Sequence, residues 1–364
     1  MIRRPAVMGA VFILSAAALL TPSQALAVGG GRGDETGREQ QPPVGGRSDS
    51  RNLMASVSQS QIVIKGSGAD SSKAPSGELS SVDPNWEPPV CWYEPTFSPE
   101  RLKRAVESDK GGYVNPHEWW DASFFVDHYD KGIAQENLGP DQPPNSKTKG
   151  YKKYNLGKDG MFWRSVVRKG YETDNRAWDC GRIMFWQDAG TVPDDKNAPT
   201  PKVLASYAYD KIRVPDTEVE LNPKARSTVN LPTWAWLDKG KFKDVKVRAE
   251  LPGTGLWAET TAKPVGLHLE PGTKDAQLHP ASGECAINGD GSIGTPYTKG
   301  QGDKTPPCGI TYLRATSGKP YAMKASVTWE VSWEGSGGAK GDLPNGTFET
   351  TQDVNVQELQ AVDR

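Results

Sequence analysis

Beyond residue 27 the chain has no apolar run long enough to cross a bilayer, no block of Lys and Arg, no C-x-x-C pair and no G-x-S-x-G turn. Each absence excludes a class of function. A spanning helix needs roughly 20 successive apolar residues, so the mature chain is expected to lack a transmembrane anchor. With 43 Lys plus Arg against 45 Asp plus Glu and four His, nothing is placed to neutralise a row of phosphates, and nucleic acid is not an expected partner. Aromatic residues are missing from one long stretch: residues 28 to 83 hold no Phe, Trp or Tyr. That segment lacks the bulk to build a core of its own.

The N-terminus carries an export signal. Arg3 and Arg4 form a positive start, Ala6 to Leu20 an apolar core, and Ala25-Leu26-Ala27 an A-x-A cleavage site. Pro22 and Ser23-Gln24 cut the apolar run to about 15 residues, too short to remain as an anchor. Cleavage removes two basic residues and leaves 41 basic against 45 acidic side chains, a formal charge of −4. No Cys near the cleavage site offers a lipid attachment point, and Gln360-Ala361-Val362-Asp363-Arg364 is not an apolar sorting tail. The expected location is secreted or extracellular, with non-covalent association to the cell wall as one form of it.

All four cysteines, Cys91, Cys180, Cys285 and Cys308, follow the cleavage site. In an oxidising compartment an even number reads as two disulfides. Three pairings exist; the favoured one joins Cys285 to Cys308 across a loop rich in Gly and Pro, which leaves Cys91 with Cys180. Each link is worth roughly 3 kcal/mol by loop-closure entropy. Spacing excludes a redox pair and a zinc site.

Four regions follow from composition: a signal peptide at 1–27, a disordered Gly/Ser/Pro-rich linker at 28–83, a small α+β region at 84–200 and a β-sandwich domain at 201–364. Ile62-Val63-Ile64 is the one β-prone island in the linker and is a candidate edge strand. Ser98-Pro99-Glu100 opens a short helix that Gly111-Gly112 stops. Asn115-Pro116-His117-Glu118 opens a second that runs through Trp119, Trp120 and Phe124 to Val126, ending near Gly132. Met161-Phe162-Trp163, Val166-Val167 and Ile183 to Trp186 are short buried segments whose type periodicity does not separate. From about Lys202 the period becomes two. Val245 to Leu251, Val265 to Leu269, Met323 to Trp333 and Phe348 to Val356 alternate as half-buried strands, with turns at Pro252-Gly253, Pro271-Gly272 and Asn288-Gly289. The fold class is mainly β, with a C-terminal immunoglobulin-like antiparallel sandwich.

The strings Asn230-Leu231-Pro232-Thr233-Trp234, Gly291 to Tyr297, Pro306-Pro307-Cys308-Gly309 and Ala325 to Trp333 resemble a family of uncharacterised secreted proteins of filamentous actinobacteria. The resemblance covers about 205–364 well and Trp86 to Thr200 less closely. It implies export and a β-rich body, and brings no catalytic residues. Some members carry an enoyl-reductase label, and others lie beside envelope secretion machinery.

The residues argue against the reductase. A dinucleotide site needs a parallel βαβ unit with a Gly-rich turn. Gly300-Gln301-Gly302 continues as Asp303-Lys304-Thr305, and Gly66-Ser67-Gly68 lies in the linker. Serine-hydrolase chemistry lacks its marked turn, although distant loops can assemble a triad. His117, Asp121 and His128 share a helix face, but eleven residues separate the two His by about 16 Å, too far for one ion. In Asn288-Gly289-Asp290-Gly291-Ser292 the spacing opens a calcium loop, yet Lys299 stands where a bidentate Glu belongs. No metal site and no cofactor are expected. Glu118, Asp121, Asp127 and Asp130 read as a solvated helix face rather than a glycosidase pair.

Twelve Trp are the remaining signal. Trp rings serve as platforms for sugars and protein partners. Trp234 and Trp236 would share one face of a strand, whereas Trp119 and Trp120 diverge on their helix; these four are the candidate ligand-binding residues, against the competing reading of core packing. The sequence therefore points away from an enzyme and toward a binding or assembly protein, its partner a cell-envelope protein or polysaccharide. The alternative is a wall- or polysaccharide-directed hydrolase with its site in 84–200. Exported protein is expected to begin at Val28; N-terminal sequencing that still finds Met1 to Ala27 would overturn the cleavage site.

Overall fold

The computed structural model describes residues 60–66, 76–108, 122–136, 147–216, 218–224, 226–237 and 243–359. The fold is mainly β, built from several antiparallel sheets. The signal peptide and Trp119, Trp120, His117 and Asp121 lie outside the described residues.

Alternation in the sequence becomes a one-sided sheet. The strands Val245–Leu251, Leu256–Glu270, Tyr321–Gly335 and Lys340–Gln357 are neighbours in an eight-stranded sheet. Val247, Ala249, Ala258, Ala262, Val327, Trp329 and Val331 point to one face and are buried, while Lys246, Glu259, Lys263, Glu330 and Ser332 point to the other. Two register shifts, between Pro264 and Gly266 and between Trp329 and Val331, interrupt the long strands near their middles. The first keeps Ala258, Thr260 and Ala262 on the same face as Leu267 and Leu269, because Val265 is the extra residue of the bulge. Val265 was expected on the buried face with Leu267; it is only half-buried for this reason.

Two layers cover that face. A five-stranded sheet containing Glu220–Asn222, Pro232–Leu237, Gly309–Tyr312 and Ala276–His279 covers one end and gives a β-sandwich-like arrangement. Tyr312 stacks on Tyr321 of the large sheet at 5.4 Å, and the Gln352 amide bonds to both backbone groups of Val219. The other end is covered by a helix, Pro201–Asp210, whose Ala205 carbonyl accepts from Thr260 Oγ1 at 2.9 Å. This helix corrects the expectation of an all-strand region from 201 onward. Its start signal was present: Thr200 caps the Val203 amide and Pro201 occupies the first turn.

Both favoured disulfides are formed. Cys285 lies on a strand paired with Gly266 to His268 of the large sheet, and Cys308 immediately precedes Gly309–Tyr312 of the small one, so this link ties sheet to sheet. Cys91–Cys180 fastens a 3-10 turn, Asn175–Asp179, to a three-stranded sheet of Cys91–Phe97, Gly160–Val167 and Phe185–Asp188. The buried segments that periodicity left open are thus mostly strands. The helix expected from Ser98 is Pro99–Ser108; of the second, Ala122–Phe125 is described and continues as one π turn, Val126–Asp130.

The disordered linker expected over 28–83 is interrupted. Val63–Gly66 is an edge strand antiparallel to Val245–Leu251, Ser76–Glu78 pairs with Arg213–Pro215, and Ser80–Ser81 pairs with Thr347 and Gly346. Backbone pairing and a few aliphatic side chains, Ile62 and Leu79, replace the absent aromatics. Replacing Cys285 and Cys308 together by Ser is expected to lower stability by about 2–5 kcal/mol; an unfolding midpoint that does not move would remove the staple from the account.

Candidate functional site

The three-stranded sheet is buried on both faces. One face packs Tyr93, Trp163, Val167 and Phe185 around the Cys91–Cys180 bond. The other divides. Trp92 and Val166 join the main core, and Phe162 joins an aromatic cluster with Tyr129, Tyr151 and Trp186. Between them in the register stand Glu94 and Arg164, directly opposite each other. A charged pair thus occupies the seam between two hydrophobic clusters.

Glu94 is fully buried. Its carboxylate accepts from Ser60 Oγ at 2.6 Å, the Gln61 amide at 2.5 Å and Trp92 Nε1 at 2.5 Å. Two of these donors come from the segment that continues as the edge strand Val63–Gly66, so the N-terminal strap closes over the carboxylate. Tyr207 of the covering helix sets its ring 5.3 Å from Trp92, and Lys211 lies 5.2 Å from the Tyr207 ring. Burial is the largest influence on Glu94 and holds its carboxyl above the ordinary 4.5, while the Ser60, Trp92 and Gln61 donors and the Arg164 charge pull it down. Arg164 is brought down to about 10 by desolvation, opposed by Glu94 and reinforced by Arg101. Its Nε is buried without a partner.

Beside this seam, His128 is fully buried among Phe124, Tyr129 and Tyr151. Nδ1 lies 2.9 Å from the Ile133 carbonyl. A carbonyl only accepts, so the proton sits on Nδ1 and Nε2 is left as a lone pair, which has no partner. Desolvation keeps this imidazole below its ordinary pKa. Lys153, Tyr154 and Asn155, in the adjoining turn, all adopt left-handed backbone, a conformation costing roughly 1–2 kcal/mol per non-glycine residue.

The tryptophans behave differently from a platform. Trp234 and Trp236 do share one face of the strand Pro232–Leu237, opposite Ala235 and Leu237 in the core. Trp234 is nevertheless buried, with Tyr297 of the disulfide loop edge-on at 5.9 Å. Trp236 is half-buried beside Gly294, where a Cβ would fall 3.1 Å from its own Cβ and 2.5 Å from the Ala235 carbonyl. The loop between the cysteines therefore covers Trp234, which fits the core reading, while Trp236 keeps part of its surface. Within that loop Asn288 and Asp290 bond to Ser292 and Gly294. Among the described residues no three His, Cys, Asp or Glu side chains converge as metal ligands, and no helix is long and apolar enough to cross a membrane.

What sequence reasoning missed is Glu94 and Arg164. A Glu inside Cys-Trp-Tyr-Glu-Pro-Thr-Phe was the available signal, because a lone charge in an apolar run is either exposed by alternation or paired in a core. No protein-family model, curated protein or solved structure matches the chain.

A carboxyl whose pKa is raised by folding stabilises the native state below its unfolded value, and that contribution is lost as pH rises through the native one. Wild type is thus expected to lose stability relative to Glu94→Gln as pH is raised from about 4.5. Paired unfolding midpoints across that range test it. A gap between the two proteins that stays constant would show that Glu94 does not titrate as its burial dictates.

Proposed function

We propose that the protein works outside the cytoplasm as a non-catalytic binding or assembly component of the cell envelope, its ligand an envelope protein or polysaccharide. The observation that carries this reading is the pair of disulfides. Four cysteines are all paired, and one pair joins the two facing sheets. Such links persist where thiols oxidise, as outside the cytoplasm. An immunoglobulin-like sandwich stapled in this way is a rigid frame that presents loops and a solvated sheet face.

That solvated face suits recognition more than chemistry. It carries cross-strand ion pairs, Lys246 with Glu259 at 3.1 Å and Lys324 with Glu349 at 3.0 Å, and a Trp257 ring under the Arg248 guanidinium at 3.8 Å. The hydrolase reading would need an accessible acid and a second carboxylate about 5–10 Å away. Among the described residues Glu94 is the carboxyl with the raised pKa, but it is sealed and its oxygens are taken by three donors. The reductase reading would need a parallel sheet with crossover helices. Among the described strands, parallel pairing occurs between Arg226–Thr228 and Lys340–Gln357, on a largely antiparallel sheet.

Labelled mature protein should bind isolated cell envelopes saturably, and unlabelled protein should displace it. Absence of saturable binding would defeat the proposal. Release of soluble wall fragments that scales with protein concentration would replace it with the hydrolase.

A further inference from the structure

The arginines at the seam are in excess over the acid that faces them. Glu94 spends its oxygens on Ser60, Gln61 and Trp92, and none of these donors is Arg164. Arg164 is left with charge attraction across the strand pair and a buried, unpartnered Nε. The residue is half-buried rather than sealed.

A second guanidinium approaches from the helix Pro99–Ser108. Arg101 sits over the Phe97 ring at 5.5 Å and reaches the Thr96 carbonyl at 3.5 Å, a long contact with a neutral group. Phe97 pairs in register with Phe162, two residues from Arg164 along the same strand. The Arg101 charge acts on Arg164, so helix and sheet bring two guanidinium groups near each other, and Glu94 stands opposite Arg164 in the register. A buried guanidinium donor without a hydrogen bond, here Arg164 Nε, is costly, and a planar oxyanion is the group an arginine's fork of donors fits.

We propose that Arg164 and Arg101 form a binding site for an oxyanion, a carboxylate or phosphate group borne by the protein's ligand, seated at the seam between the three-stranded sheet and the helix Pro99–Ser108. The site stands on these two residues and does not depend on the envelope reading. Glu94 belongs to it as the fixed counter-charge that lets one arginine stay near the core, and the anion supplies the second.

The test uses the whole mature protein with inorganic phosphate and acetate as probes, against chloride at matched ionic strength. Arginine Nε–H resonances and the thermal midpoint are followed together. The expected result is that one or both oxyanions move the Arg164 Nε–H signal and raise the midpoint beyond chloride. The stronger of the two names the ligand group. Arg101→Gln should weaken the response about tenfold, the loss of one charge-assisted hydrogen bond, whereas Arg104→Gln, an exposed arginine on the same helix, should leave it unchanged. Arg164→Gln should abolish it. If Arg164→Gln does not fold, Arg101→Gln decides alone, since its side chain leaves the sheet pairing untouched. Equal responses to oxyanion and chloride, or an undiminished response in Arg101→Gln, would overturn the site.

Discussion

The constraint on which the rest of the structure depends is the length of the strands in the large sheet. Leu256–Glu270 and Tyr321–Gly335 are each 15 residues, and Lys340–Gln357 is 18. Alternation along such strands makes one apolar face about 50 Å long at roughly 3.3 Å per residue. Strands of two to six residues, as in the smaller facing sheet, cannot cover it. The midway bulges resolve this by bending the strands, so that the small sheet packs on one half and the helix Pro201–Asp210 on the other. Trp329, beside the second bulge, is fully buried in the same core.

The seam follows from that division. The helix that covers the second half must itself be covered, and Trp92 and Val166 of the three-stranded sheet do so from the far side. That sheet is then committed on both faces, and an aromatic cluster forms where its outer half extends past the main core. Glu94 and Arg164 fall on the line between the clusters. The strap from Ser60 to Gly66 links both ends of this construction: its first residues bind the Glu94 carboxylate, Ile62 enters the main core, and its last four pair with the edge of the large sheet.

How much of this was legible depended on the range of the interaction. Val245–Leu251 and Tyr321–Gly335 could be read directly because their alternation is local and one face is wet. The disulfide Cys285–Cys308 was legible because a loop of Gly and Pro has little else to hold it. Strand parity placed Trp234 and Trp236 on one face, but nothing local reveals that Tyr297 lies across Trp234. The helix Pro201–Asp210 had its cap and proline, yet the apolar run through Val203, Leu204, Ala205 and Tyr207 fits either period. Glu94 was the hardest to read, since its burial is decided by Ser60, Trp92, Tyr207 and Arg164, three of them far away in sequence.

Stability alone does not account for the charged pair. Taking two ions out of water costs several kcal/mol each, and well-packed apolar residues of similar volume are commonly as stable or more so. At this position they would be favoured further, because Trp92, Val166 and Phe162 on the same face already supply apolar neighbours. A pair kept only for structure would also be expected to close on itself with direct hydrogen bonds, the geometry that recovers most of the desolvation cost. Here the carboxylate turns to the strap and to Trp92, while the guanidinium keeps a donor without an acceptor. The arrangement leaves the acid satisfied and the base not, and that asymmetry is the physical ground for reading the seam as a place made to receive negative charge.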